Sequence, residues 1–224
     1  MPAKNVIEVA RGELGVTELP PGSNRVKYWE DFNPSWQGQP WCVCGLWWVF
    51  KHAGEVQAFF GGAKTASCST LFRWYQAQGM IVPIDEIQPG DLVFLNFRHT
   101  TSQDHLGLVE SVVHSPLQVT TIEFNTSPGL EGSQDNGGCV ARKIRYRSQI
   151  VGVARPEYKE EKPVLQEDDY STHWAAKDID KAVERGLMNG YPDGTFKPDK
   201  PVTRAELAVV LNRIYELVEV IKNG

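Results

Sequence analysis

The chain has 224 residues, of which 41% are hydrophobic and 23% are charged, a balance that fits a folded protein of one large domain or of two smaller ones. Its formal net charge of −5 argues against nucleic-acid binding, because proteins that bind nucleic acid usually carry a basic surplus. The sequence has no apolar run of about 18 residues, which a membrane span requires, so we expect no membrane association. Residues 1–15 lack the apolar core of a signal peptide. We therefore expect a cytoplasmic location, or exit by a route without such a signal.

Residues 1–155 predict helices followed by strands. Apolar positions recur with helical spacing near the N-terminus, and residues 41–50 are apolar almost throughout, which is typical of a buried helix. After Pro83 the spacing changes to two, and short turns separate five predicted strands: 91–97, 105–112, 117–124, 139–146 and 149–154. Helices first and antiparallel strands afterwards predict an α+β domain.

The remainder of the chain predicts a linker and a small second module. Residues 156–167 are charged, contain two prolines and show no apolar period, so they predict a linker. Residues 168–224 predict an all-α helix-loop-helix module, whose second helix begins with a capping box formed by Thr203 and Glu206. A helix pair of this size is close to the limit of independent stability, so we expect a partner or further copies.

One cysteine fits the requirements of a nucleophile. Cys42 begins the predicted buried helix, where the helix dipole favours a thiolate. His105 opens a predicted strand and is the candidate base. Glu123 and Asn125 lie two residues apart on the next strand, so both side chains are expected on one face beside His105, where they could orient the imidazole.

The other three cysteines give no sign of a metal site. Cys42 and Cys44 form one isolated CxC pair, without the second pair or the histidines that zinc would need. Cys44, Cys68 and Cys139 are expected to be small packing residues. Trp36 and Trp41 lie near the nucleophile, and we take Trp41 as the side chain that lines a substrate groove. We expect no metal and no other cofactor.

Four segments resemble the CHAP domain, the cysteine, histidine-dependent amidohydrolases/peptidases. They read PWC before the aromatic-rich helix, PGDLVF, DHLGLVESV and IEFNT, in that order, within about residues 5–155. The resemblance implies a papain-like fold with Cys42 as the nucleophile and His105 as the base and later the acid. It also implies that Glu123 orients His105 and that Asn125 helps to position the site or the substrate.

The same resemblance implies peptidoglycan as the substrate. The bond would be the muramoyl–L-alanine amide or a peptide bond in the stem or cross-bridge, and the sequence does not separate these two. The chain departs from the family at Asp104 and Phe124, where glycine is common. Residues 20–40 contain no counterpart of the acidic calcium loop that some CHAP domains carry, so no required metal is expected.

Residues 168–215 resemble one S-layer homology motif, most closely in the segments HWA, GYPDGTFKP and VTRAE. That family anchors proteins to secondary cell-wall polymers, acidic glycans that carry ketal-linked pyruvate. On this resemblance Arg204 would bind a carboxylate through paired hydrogen bonds, and Trp174 would pack on a sugar. Such domains usually carry three motifs whereas this chain has one, so we expect self-association, as a trimer, through this module.

Together the two resemblances predict a bacteriophage endolysin-type peptidoglycan hydrolase, an amidase or endopeptidase that stays in the host cytoplasm until lysis. The alternative is a non-catalytic protein that binds the cell wall or the S-layer. A third reading, an intracellular thiol enzyme that acts on a small amide, is disfavoured by the second module.

Overall fold

The computed structural model describes residues 2–97, 102–159, 169–191 and 193–223. The chain divides into two compact units, Met1–Lys159 and Glu160–Gly224. Of the predicted linker 156–167, residues 160–167 lie outside the described residues. Among the described residues, no helix has the length and apolar character to cross a membrane.

The first unit packs helices against one antiparallel sheet, which confirms the predicted α+β class. Its helices are α1 (Pro2–Gly12), α2 (Tyr28–Phe32), α3 (Cys42–His52) and α4 (Cys68–Ala77). Its strands are β1 (Leu92–Leu95), β2 (His105–His114), β3 (Leu117–Thr126), β4 (Cys139–Tyr146) and β5 (Ile150–Ala154). The strand order is β4-β3-β2-β1-β5, and each neighbouring pair is antiparallel.

The buried helix α3 is the centre of the core and carries the candidate nucleophile to the sheet. It packs against α1, α2 and β3, and all its residues from Cys42 to Phe50 except Trp48 are buried. Gly45 makes the close approach to β3 possible, because a Cβ atom there would lie 2.3 Å from the ring of Phe124. The large side chain at 124, where the family often has glycine, is thus accommodated by a glycine on the helix.

The second unit contains α5 (Ala176–Glu184) and α6 (Arg204–Asn223). The capping box is present, since Thr203 N–H donates to Glu206 Oε2 at 2.7 Å and Glu206 N–H donates to Thr203 Oγ1 at 3.2 Å. Asp169 Oδ2 accepts hydrogen bonds of 2.7 Å from the backbone N–H groups of Phe196 and Lys197. These contacts tie the connecting loop to the beginning of the unit.

Candidate active site

Cys42 is the first residue of α3, and its side chain is buried. Trp41 before it has non-helical backbone angles, φ −121° and ψ 18°, so the first backbone N–H groups of the helix lie beside the thiol without intrahelical acceptors. The pKa of Cys42 lies well below its usual value, chiefly because the Cys68 thiol hydrogen-bonds to it, and also because His105 contacts it, although burial opposes the shift. This environment favours a thiolate.

His105 is the first residue of β2 and is fully buried. Its Nε2 lies 3.1 Å from Oε2 of Glu123, but the N–H does not point straight at the oxygen, so the two form a close ion pair rather than a linear hydrogen bond. Nδ1 is then the ring nitrogen left to exchange a proton with Cys42. Burial by itself would lower the pKa of His105, but the contacts with Cys42 and Glu123 outweigh it and raise the pKa from 6.5 to about 9.

Glu123 is held by a residue that the sequence did not single out. Arg145 on β4 binds both carboxylate oxygens, with Nε 2.7 Å from Oε1 and Nη2 2.6 Å from Oε2, and the Thr121 hydroxyl donates to Oε1 at 2.6 Å. All three side chains are buried. Burial would raise the pKa of Glu123, but Arg145 and His105 lower it to about 2, so the carboxylate stays charged beside the imidazole.

Asn125 belongs to a neighbouring network rather than to the contacts of His105. Its Nδ2 donates to Oδ1 of Asn24 at 3.2 Å and to Oδ1 of Asn136 at 2.9 Å, and its own Oδ1 accepts from Gly138 N–H at 3.1 Å. The strand alternation that predicted a face shared with Glu123 is interrupted here, because Asn125 has φ 60° and the β3–β4 register shifts between positions 123 and 126. Asn125 therefore positions Asn136 and not His105.

A groove of about 470 Å³ opens beside Cys42. Its lining residues come from the start of α3, the start of α4, and two loops: Pro40, Cys42, Ala66, Ser67, Cys68, Ser69, Gln103, Asp104, Ser133, Asp135 and Asn136. Asp104 is fixed by Nδ2 of Asn96 at 3.0 Å and by the Ser102 hydroxyl at 2.7 Å. The described lining includes two carboxylates, those of Asp104 and Asp135.

Cys68 is buried in the core, as predicted, and it also contacts the candidate nucleophile, which the sequence did not indicate. Its Sγ lies 3.7 Å from Sγ of Cys42, and its pKa is raised, chiefly because the thiol keeps its proton to donate to Cys42. The other two thiols lie elsewhere: Cys44 is buried in the core, and Cys139 donates to the carbonyl oxygen of Thr126 at 2.9 Å. Both of these are buried as well, as the predicted packing role requires.

Trp41 does not line the groove as predicted. Its side chain is fully buried, packs on Tyr28 and Phe124, and donates its indole N–H to Glu18 at 3.0 Å. Trp36, the other tryptophan considered near the nucleophile, is 41% exposed and lines an adjacent cavity of about 420 Å³. The exposed indole near the site is therefore Trp36.

Comparison with known protein families agrees with this geometry. Residues 34–125 match the family model of the CHAP domain, and residues 168–208 match that of the S-layer homology domain. The chain combines a CHAP domain with an S-layer homology domain. The CHAP match includes Cys42, His105, Glu123 and Asn125. Among the described residues, no group of three or more histidine, cysteine or acidic side chains is arranged to hold a metal ion.

Relatives of this chain are named as anchoring, cell-surface and outer-membrane proteins. The cellulosome-anchoring protein of Acetivibrio thermocellus is 36% identical over 128 residues, which cover 56% of this chain and 27% of the relative. Cell surface glycoprotein 1 of the same species is 62% identical over 40 residues, 18% of this chain and 2% of the relative. Outer membrane protein alpha of Thermotoga maritima is 43% identical over 47 residues, 21% of this chain and 12% of the relative. The chain thus spans about a quarter or less of the length of these relatives. No solved structure matches it.

The residues predicted to bind glycan in the S-layer homology domain are both exposed. Trp174 is 88% exposed, and Arg204 is exposed at the first position of α6. A cavity of about 420 Å³ lies elsewhere in the same unit and is lined by neither of them: Asp169, Thr172, His173, Lys197, Pro198, Asp199 and Lys200. Its lining carries two lysines and two aspartates, and Lys197 is also paired with Asp193 at 2.7 Å.

Proposed function

We propose that this chain is a cysteine-dependent peptidoglycan hydrolase, in which the CHAP domain cleaves an amide bond and the S-layer homology domain binds a secondary cell-wall polymer. The observation that carries the proposal is the buried series of contacts from Cys42 through His105 to Glu123. A thiolate facing a protonated imidazole, with a carboxylate behind it, is the arrangement needed for acyl transfer through a thioester.

The mechanism begins with attack of the Cys42 thiolate on the amide carbonyl carbon. Backbone N–H groups at the start of α3 stabilise the oxyanion. His105 gives its Nδ1 proton to the leaving amine, the C–N bond breaks, and the acyl group remains on Cys42 as a thioester. The neutral imidazole then takes a proton from a water molecule that attacks the thioester, and the acid is released as the ion pair re-forms.

For the bond itself we propose a peptide bond of the stem or cross-bridge next to a residue with a free amino group, rather than the muramoyl–L-alanine amide. Two carboxylates, those of Asp104 and Asp135, line the groove beside Cys42. An ammonium group on the substrate would complement these carboxylates.

The anchoring part of the proposal rests on the second domain and on its relatives. Two of the relatives are named for anchoring or for the cell surface. Arg204 and Trp174 are both accessible to a polymer, the first for carboxylates and the second for a sugar ring. Binding to purified walls should weaken in Arg204→Ala and Trp174→Ala and stay unchanged in Arg185→Ala, which removes another exposed arginine of the same unit.

We propose that the protein acts as an endolysin, which is held in the host cytoplasm until lysis. The anchoring relatives do not address it. Fractionation of producing cells before and after lysis would decide it, because an endolysin stays with the cytoplasm until lysis, whereas a resident wall protein is found on the cell surface from the start.

The deciding experiment is digestion of purified Gram-positive-type sacculi by the wild type, Cys42→Ala and Cys139→Ala, with the released fragments read by mass spectrometry. We expect fragments from the wild type and from Cys139→Ala, the matched control, and none from Cys42→Ala. Cleaved stems or bridges would support the peptide-bond proposal, whereas glycan chains freed of whole stems would indicate an amidase.

The anchoring relatives favour one competing function, a non-catalytic wall-binding protein. That reading predicts that none of the three proteins releases fragments although all three sediment with the walls.

A further inference from the structure

A second thiol lies against the candidate nucleophile. The Sγ atoms of Cys42 and Cys68 are 3.7 Å apart, and both cysteines are free. Each is the first residue of a helix, Cys42 of α3 and Cys68 of α4, so both sulfur atoms sit beside the positive end of a helix dipole. A disulfide bond is about 2.05 Å long, so the two sulfur atoms need to approach by less than about 2 Å to form one.

A small oxidant can reach this pair. Cys42 and Cys68 both line the groove of about 470 Å³, although each side chain is largely buried within it. Cys44 and Cys139 do not line the groove, and Cys139 is occupied by its hydrogen bond to Thr126. Access therefore selects one pair out of the four thiols.

The two thiols differ in the way that a two-step oxidation requires. Cys42 has its pKa lowered, so it is the more ionised and reacts first with an oxidant. Cys68 has its pKa raised because it donates to Cys42, and it keeps its proton until Cys42 has been oxidised. Loss of the thiolate at Cys42 removes the acceptor of that hydrogen bond and frees Cys68 to react.

We propose that Cys42 and Cys68 form a modification site that a peroxide converts to a disulfide, which switches the hydrolase off. The Cys42 thiolate attacks a peroxide oxygen and the O–O bond breaks. Cys42 becomes a sulfenic acid, and the other oxygen takes the proton of the His105 imidazolium and leaves as water or alcohol. Cys68 then attacks the sulfenic sulfur, its proton leaves with the hydroxyl group as water, and the S–S bond forms. A dithiol reverses the change by two thiol–disulfide exchanges.

The consequence for activity rests on the proposed function, whereas the chemistry of the pair does not. A disulfide removes the thiolate that attacks the amide. It also protects Cys42, because a sulfenic acid captured by Cys68 cannot proceed to the irreversible sulfinic acid.

Peptide mapping after a brief exposure to hydrogen peroxide tests the proposal directly. Trypsin places Cys42 in peptide 28–51 and Cys68 in peptide 65–73. We expect these two peptides to be joined, two hydrogens lighter than their sum, and to separate when a dithiol is added. Fragmentation of the joined peptides must place the bond on Cys42 rather than on Cys44.

A second experiment measures the rate of hydrolysis of the same sacculi before and after peroxide. It compares the wild type with Cys68→Ser and with the matched control Cys139→Ser, each against its own untreated sample. The wild type and Cys139→Ser should lose at least about tenfold in rate with peroxide and recover to within about twofold with dithiol. Cys68→Ser should lose its activity without recovery, and peptide 28–51 should gain two oxygens as a sulfinic acid.

Two results would overturn the proposal. The first is a wild type in which peroxide yields only the sulfinic acid on peptide 28–51, with no joined peptide. The second is a Cys68→Ser variant that recovers with dithiol as fully as the wild type. If the peptides join but no variant releases wall fragments, the pair stands and the proposed hydrolase function falls, because the mapping requires no substrate.

Discussion

At the scale of single residues, the chemistry of Cys42 depends on the charges of Glu123 and Arg145, which act through His105. His105 stays protonated because Glu123 lies 3.1 Å from its Nε2, and Glu123 stays ionised because Arg145 binds both of its oxygens. A buried carboxylate without such a partner would take up a proton. The positive charge on the imidazole, and with it the proton for the leaving amine, therefore depends on Arg145.

The pH dependence of hydrolysis follows from these pKa values. The pKa of His105 is raised to about 9, so the imidazolium is present below that pH and is lost as the pH rises through it. Protonation of His105 also stabilises the fold. This contribution to the free energy of unfolding is complete below pH 6.5, the ordinary pKa of histidine, and is lost as the pH rises through about 9. The rate of wall hydrolysis should fall above pH about 9, while alkylation of Cys42 by iodoacetamide should not.

Glu123→Gln provides the control for this pH profile. Without the carboxylate the pKa of His105 falls, and the alkaline limb of the hydrolysis rate should move to lower pH. An alkaline limb at the same pH in the variant and in the wild type would contradict the assignment of the limb to His105.

Removal of Arg145 should cost much more stability than removal of its neighbour Arg142. Arg145→Met leaves Glu123 buried without its partner, a change that typically costs about 3–5 kcal/mol. Arg142 lies on the same strand with its side chain 49% exposed and pairs with Glu110, so Arg142→Met should cost less than about 1 kcal/mol. Urea unfolding of the two variants measures the difference, and equal losses would refute the role given to Arg145.

At the scale of elements, the contact between α3 and β3 sets how closely the helix that begins with Cys42 approaches the sheet. Gly45 allows the ring of Phe124 to fit against the helix, since an added Cβ would lie 2.3 Å from that ring. A larger residue at 45 would move α3 away from the sheet. The nucleophile lies one helical turn from this point.

Gly45→Ala tests that contact. We expect a loss of about 1–3 kcal/mol from overpacking, together with a lower rate of Cys42 alkylation. A second substitution, Phe124→Leu, should restore part of both. Gly12→Ala is the matched control, because Gly12 is also helical and an added Cβ there meets nothing within 4 Å; losses of equal size at both glycines would contradict this account.

Much of this arrangement could be predicted from the sequence, because strand alternation and the four CHAP segments place Cys42, His105 and Glu123 on adjacent elements. The remainder depended on tertiary packing. Arg145 lies on an edge strand, where a basic side chain usually faces solvent, and only the fold shows that it points inward. Cys68 is far from Cys42 in the sequence, and no local pattern indicates that α3 and α4 begin side by side.

At the scale of the whole molecule, the second domain leaves apolar side chains in water. Six of them on α6 are each at least 40% exposed: Leu207, Val209, Leu211, Ile214, Tyr215 and Val218. A soluble domain seldom leaves such a patch uncovered. This supports the proposal that copies of the chain associate through the S-layer homology domain.

Self-association should respond to one charge on that helix. Light scattering of the wild type at high concentration should give the mass of three chains, and Leu211→Glu should give the mass of one. Asn212→Glu, which places the same charge on the adjacent exposed position, should leave the trimer intact. A wild type that stays monomeric at high concentration would refute the proposal.

The measurement that tests the central claim most directly is capture of the thioester. Wild-type protein and soluble wall fragments are mixed briefly, quenched in acid, digested with pepsin and examined by mass spectrometry. We predict a wall peptide attached through its carbonyl carbon to Cys42, and none when Cys42→Ala is used. Release of wall products without any adduct on Cys42, or with an adduct on another residue, would contradict the assignment of Cys42 as the nucleophile.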